Sequence, residues 1–189
     1  CIGSRDSHHG ARGYCSTVCC TYAIKQAMIA KEHSVHDLDT AIFNIDIRTQ
    51  GKDFERYYMR ARDEKGVRFV KSKIPQVVPG DNSEMLRLRY TDEKGKRVEE
   101  EFDIVVLSVG LDISPSTVKM AEMLGISLDK YRFAATSSFA PVETSRPGIY
   151  VCGAFHAPKD IPYSVMQASA AACAAGCSLA EARGTLTKE

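Results

Sequence analysis

Apolar residues along this chain recur first at helical spacing and then at alternate positions, and each change of period marks an element. Ala23, Ile24, Ala27, Met28 and Ile29 predict a helix over residues 21–33, ended by the Ser/His/Asp-rich stretch that follows. In TAIFNIDIR, residues 40–48, Ile42, Asn44, Asp46 and Arg48 alternate with Ala41, Phe43, Ile45 and Ile47, which is strand periodicity. Residues 52–65 return to the helical period with Phe54, Tyr57, Tyr58 and Ala61 inward, Gly66 stops that helix, and residues 67–70 form a short strand. Three β-like runs at 74–78, 84–90 and 97–102 are separated by Pro79-Gly80-Asp81-Asn82 and Asp92-Glu93-Lys94-Gly95, so an antiparallel meander is expected. The continuously apolar run at 104–109 reads as a buried central parallel strand, followed by a helix near 116–124.

The last third changes texture. An irregular stretch around 132–146 leads to a buried strand at 149–152, a glycine turn, and a long helix from 161 to about 183 that is rich in alanine. The expected class is therefore α/β, with a mixed sheet and an antiparallel meander. Length and the 44% hydrophobic content allow one domain or one and a half with a sizeable core. A formal net charge of +1, with Lys and Arg spread along the chain, gives no footprint for nucleic acid or an anionic membrane surface. No apolar run approaches the roughly 20 residues that span a bilayer, and no signal peptide is visible, so the expected compartment is cytoplasmic. The first residue is a cysteine within a motif and not an initiator Met, which reads as a fragment or a processed form.

Composition adds one feature that periodicity cannot. Four of the seven cysteines fall in the first 20 residues, CIGSRDSHHGARGYCSTVCC, a Gly/Ser/Arg-rich loop running into a helix start. Cys1, Cys15, Cys19 and Cys20 are spaced C-x13-C-x3-C-C and supply the four thiolates that a [4Fe-4S] cluster takes. A single zinc ion seldom uses two adjacent residues, whereas a cubane offers separate iron corners. Zinc, and reduced cysteines simply packed at a helix start, both stay open at this level. His8 and His9 lie on a polar loop and are left out of the ligand set.

The stretches CIGSRD, YCSTVCCTYAIKQAMIAKE, FNIDIRTQGKDFERYY, FDIVVLSVGL and YVCGAFHAPKDIPYSVMQASAAA together resemble the A-type subunit of heterodisulfide reductase, an iron-sulfur flavoprotein, over essentially the whole chain. The resemblance implies a Rossmann-like, thioredoxin-reductase-type fold with the C-terminal part of an FAD domain. It further implies that Cys1, Cys15, Cys19 and Cys20 hold a [4Fe-4S] cluster. Residues 1–20 would then be the cluster-binding loop, 21–112 an NAD(P)-binding-like α/β domain, and 113–189 the C-terminal segment of the FAD domain. No G-x-G-x-x-G turn is visible, and the cysteine loop stands where that turn would precede a Rossmann helix.

Gly148 to Ala154, followed by Pro158-Lys159-Asp160-Ile161-Pro162, resembles the C-terminal flavin motif of the same class of enzymes. Gly153, Ala154, Lys159, Asp160, Ile161 and Pro162 are the candidate flavin-side residues, with Lys159 the candidate polar neighbour. Ala154 stands where the motif usually carries an acid, which weakens a carboxylate contact there. The missing N-terminal glycine-rich half implies that FAD belongs to the longer parent and is not held tightly by these residues alone. Cys152, Cys173 and Cys177 are expected as small core residues, and Asp46 and Arg48 as solvated or cluster-side residues.

The expected function is electron transfer between FAD and [4Fe-4S] clusters within an oxidoreductase like the A-type subunit of heterodisulfide reductase. Other subunits or electron-carrier proteins would be its partners, the parent an oligomer, and the isolated piece inactive. A zinc-stabilised interaction module and a fragment of a pyridine-nucleotide disulfide reductase are the alternatives; no residue is assigned a catalytic role.

Overall fold

A computed structural model describes residues 12–82 and 84–186, with side chains as far as residue 180. The chain divides into two compact units, Thr17–Gly110 and residues 12–16 with 111–186.

The first unit begins with α1 (Cys19–His33), β1 (Ala41–Asn44), α2 (Phe54–Asp63) and β2 (Arg68–Lys71). β1 and β2 run parallel, with Ala41 beside Arg68 and Asn44 beside Lys71, so α2 is the crossover of a β-α-β unit. The inward stripe of α1 supplies Ile24 and Met28, β1 supplies Ile42, α2 supplies Ala61, and Val67 closes the cluster just before β2. Tyr57, Tyr58 and Phe69 pack on its edge, Tyr58 meeting Phe69 edge-on at 4.7 Å. The inward residues of both helices are thus among those their period marked, but Ile29 of α1 is 41% exposed, at the edge of the stripe that Ile24 and Met28 bury. β1 is shorter than the alternation over 40–48 implied, because its partner β2 offers only four residues to the ladder.

The expected meander is present as β3 (Val77–Pro79), β4 (Leu86–Thr91) and β5 (Arg97–Phe102), paired antiparallel in that order. Phe43 of β1 meets Tyr90 and Phe102 edge-on at 5.0 and 5.8 Å, and this aromatic seam joins the meander to the parallel pair. Arg68 adds a polar link, bonding Asp39 at 3.1 Å and Glu100 at 2.5 Å.

The run at 104–109 departs from expectation. It forms no regular strand, and Ile104 and Val109 are 77% and 66% exposed. Apolar continuity reports that a segment favours burial; it cannot supply the neighbouring strand that a ladder requires. Within this unit the run is fixed at its far end, where the Tyr22 hydroxyl donates to the Val109 carbonyl and Ser108 Oγ donates to the Cys19 carbonyl at 3.3 Å.

The second unit holds α3 (Pro115–Leu124), a short 3-10 turn (Gly153–Phe155) and α4 (Ile161–Leu186). Ser114 caps α3 by accepting from the Thr117 N–H at 3.2 Å, Pro115 fills the first helical position, and Gly125 ends the helix at φ +68°. Ala121, Ile126, Ala134 and Val151 form the core, with Leu128, Ile149 and Phe155 against it. The strand expected at 149–152 reduces to one bridge, Tyr150 with Glu143, and only Val151 of the run is buried. Cys152, Cys173 and Cys177 are exposed and not core residues: Cys173 and Cys177 lie on sides of the alanine-rich α4 that this unit leaves uncovered, and Cys152 lies just before the 3-10 turn, at the end of a run that forms no full strand.

Ile24 is wholly buried where both helices and β1 meet. Ile24→Ala is expected to reduce stability by about 2–5 kcal/mol, read as a lower urea midpoint with little change in slope.

Candidate functional site

Cys19 and Cys20 open α1 and are only 4% and 5% exposed, with Tyr22 and Ala23 packed against them. The residue at the N-cap is Val18, whose side chain cannot accept a hydrogen bond and so gives the first turn no cap of its own. Thr17, immediately before it, has φ +67°, a left-handed conformation that costs a β-branched residue about 1–2 kcal/mol. Cys20 Sγ lies 3.9 Å from the Asp46 carbonyl oxygen. Asp46 itself pairs with Arg48 at 4.0 Å, both well exposed. A helix start that buries two adjacent thiols offers two soft, polarisable ligands diverging from one point, which suits a multi-iron cluster.

Cys15 belongs to the second unit and is half-buried there. Cys1, His8 and His9 lie outside the described residues. Among the described residues, no three His, Cys, Asp or Glu side chains group closely enough to hold a metal ion.

Sequence reasoning missed the residues that hold the chain around Cys15. Tyr14 stacks edge-on with Tyr131 at 5.0 Å and Phe133 at 5.2 Å, and its hydroxyl donates to the Leu111 carbonyl at 2.8 Å. Ser16, fully buried, accepts from the Leu111 N–H at 2.7 Å. Arg12 and Arg132 grip opposite oxygens of Asp112, at 2.5 and 3.0 Å. Burial pushes the Asp112 carboxyl up, but hydrogen bonds from Arg12 and the Ile113 N–H, with the two guanidinium charges, outweigh it and hold the group below its ordinary value. The only trace in the sequence is the aromatic Tyr14 and the basic Arg12 flanking Gly13 beside Cys15.

The flavin-side candidates gather in the second unit. Gly153 starts the 3-10 turn at φ +69°, a conformation glycine adopts without strain. Its N–H donates to Gln167 Oε1 at 2.9 Å, and the same oxygen accepts from Lys159 Nζ at 2.5 Å. Lys159 also reaches His156 Nδ1 at 2.8 Å, while His156 Nε2 lies 3.0 Å from Thr136 Oγ1. Burial pushes the His156 imidazole down, helped by the Lys159 charge, and burial pushes the Lys159 ammonium down, with nearby Cys152 acting in the opposite direction. The Asp160 carboxylate caps α4 by accepting from the Tyr163 N–H at 2.9 Å. Ala154 and Pro162 are exposed, and Ile161 is 80% exposed. His156 and Gln167 are not singled out by sequence reasoning, although a carboxamide between Met166 and Ala168 in a small-residue helix is a local signal.

A lysine donor and a glycine turn flank the start of a long helix, beside exposed apolar side chains. Taken together, the parallel β-α-β unit and the meander define an α/β fold.

Comparison with known proteins makes the class specific. The family described as pyridine nucleotide-disulphide oxidoreductase matches residues 13–175, and the chain belongs to that family of oxidoreductases. It is 43% identical over 93% of its length to a protein of Archaeoglobus profundus named as like the A-type subunit of heterodisulfide reductase. It is 40% identical over 95% of its length to the second of the A-type iron-sulfur subunits of CoB--CoM heterodisulfide reductase in Methanopyrus kandleri, and 39% identical over 96% to the corresponding iron-sulfur subunit of Methanocaldococcus jannaschii. The matched regions are 25%, 28% and 28% of those proteins, so the chain spans about a quarter of the length of the curated relatives it matches. The resemblance to the A-type subunit of heterodisulfide reductase is thereby shown, as is the α/β fold class. Among the described residues no helix is long and apolar enough to cross a membrane.

Because folding depresses the Asp112 carboxyl, the stability it contributes is fully present above its unfolded value, about 3.9, and is lost as pH falls through the folded one. Asp112→Asn is expected to lower the melting temperature near neutrality and to flatten its decline in acid, as measured by thermal unfolding across pH.

Proposed function

We propose that this chain is the electron-transfer segment of a flavoprotein like the A-type subunit of heterodisulfide reductase, carrying electrons between FAD and [4Fe-4S] clusters. The observation that carries this reading is the burial of two adjacent thiols, Cys19 and Cys20, at the start of α1. Cys1 and Cys15 complete the ligand set. When bound, the cluster supplies one-electron redox chemistry with its thiolate bonds intact.

The chain's own residues do three things in this reading. Cys15, Cys19 and Cys20 fix cluster corners from one six-residue stretch, with Arg12, Tyr14 and Ser16 pinning its leading side. The buried first turn of α1 directs N–H dipoles toward a group of negative charge. Gly153, Ala154, Lys159, Asp160, Ile161 and Pro162 face the flavin, Lys159 with its charge and Asp160 by capping the helix.

Residues 1–20 form the cluster loop, 21–112 a nucleotide-domain-like unit now serving the cluster, and 113–189 the C-terminal part of the flavin domain. The partners are other subunits of such a complex or electron-carrier proteins, in an oligomeric, cytoplasmic assembly. The names of the relatives support this reading, since two of them are iron-sulfur subunits of heterodisulfide reductases.

Anaerobic reconstitution is expected to load about four iron and four sulfide per chain, with a reduced-state paramagnetic signal that Cys20→Ser abolishes or greatly weakens. Stoichiometric zinc without iron uptake would sink the proposal in favour of a structural module. A second expectation concerns the flavin: titrated into the 189-residue chain, FAD binds weakly and without fixed stoichiometry. Tight one-to-one binding would show that the flavin site is complete without the rest of the parent.

A further inference from the structure

The corner around Lys159 contains a hydrogen-bond chain whose members have more specific roles than contact with a ligand. An ammonium has three donors and no acceptor. Two of those of Lys159 are directed at His156 Nδ1, 2.8 Å away, and Gln167 Oε1, 2.5 Å away. The third has no acceptor among the described residues, and the tetrahedral nitrogen fixes its direction once the other two are set.

The same inventory assigns His156. Its Nδ1 accepts from Lys159, so the ring proton sits on Nε2 and is donated to Thr136 Oγ1 at 3.0 Å. The imidazole is then a neutral acceptor buttressed from its far side. Gln167 is oriented with equal definiteness, because its Oε1 accepts from both Lys159 and the Gly153 N–H. Its amide nitrogen is left facing the Pro141 carbonyl, 3.4 Å away. One carboxamide therefore ties the glycine turn and the lysine into a fixed relation. Without these two acceptors, a flexible four-carbon stem would return its strongly hydrated charge to solvent.

We infer that His156 and Gln167 are positioning residues that aim the third N–H of Lys159 at the edge of a bound isoalloxazine and so set how strongly the reduced flavin is favoured. This rests on the flavin-side reading proposed above. A cation held at that edge stabilises the anionic reduced form more than the neutral oxidised one, and the benefit depends on its being held there. Partial burial, helped by the Lys159 charge, pushes the His156 imidazole down and so favours the neutral ring that the hydrogen-bond geometry requires.

The test is a redox titration of the flavin-loaded protein that contains this chain, read together with its FAD content. Lys159→Met is expected to move the flavin midpoint negative by about 30 mV or more, equivalent to a tenfold loss of preference for reduced over oxidised flavin in a two-electron couple. His156→Leu and Gln167→Met move it the same way with FAD content unchanged, and His156→Asn, whose amide oxygen can accept from Nζ, recovers most of the shift. If Lys159→Met shifts the potential while His156→Leu and Gln167→Met stay at the wild-type value, the positioning role is overturned and the flavin-side reading stands. If Lys159→Met leaves the potential unchanged, both fall. Should Gln167→Met lose its flavin, the His156→Leu and His156→Asn pair decides alone.

Discussion

Consecutive residues of an α-helix point about 100° apart, so burying both Cys19 and Cys20 requires the start of α1 to be covered from two directions at once. The fold meets this demand from distant parts of the sequence. The turn after β1 brings the Asp46 carbonyl to Cys20, and the run ending at Gly110 brings Ser108 to the carbonyl of Cys19. Tyr22, one helical turn below the N-cap, ties the same run through the Val109 carbonyl. The turn after β1 and the run 104–110 together enclose one helical turn.

Much of this was legible from periodicity. The inward faces of α1 and α2 follow directly from Ile24, Met28 and Ala61, and the turn clusters around Gly80 and Gly95 mark the meander. What periodicity could not supply was partnership. The apolar run at 104–109 and the one at 149–152 look equally strand-like, yet one lies exposed and the other is reduced to a bridge, because strand formation depends on a neighbour that no single segment encodes.

The site divides along the same line. Cysteine spacing and the Gly-Ala and Lys-Asp-Ile-Pro elements are local and could be read directly. The grip of Arg12 on Asp112 and the stacking of Tyr14 join residues far apart in the chain, and the sharing of the Gln167 oxygen joins a helix to the turn before it, which local pattern does not encode. Of three expected core cysteines that proved exposed, Cys152 sits at the end of the run that lacks a strand partner, and Cys173 and Cys177 sit on α4, where small apolar residues signal close approach without naming what approaches. In a chain that spans about a quarter of the length of its relatives, a large share of apolar surface remains outward on both 104–109 and α4.

The carboxylate cap on α4 has an implication for how this corner can change over time. Asp160 takes the N–H groups of Tyr163 and Ser164, and Pro162 has none to give, so Ile161 is left as the first-turn residue whose N–H Asp160 does not claim. A backbone dipole cannot be altered by a point substitution, but here it is partly neutralised and the charge that faces outward resides on a lysine side chain. The electrostatic character of the corner is therefore written in replaceable residues, so a lineage can retune it one codon at a time without rebuilding the helix.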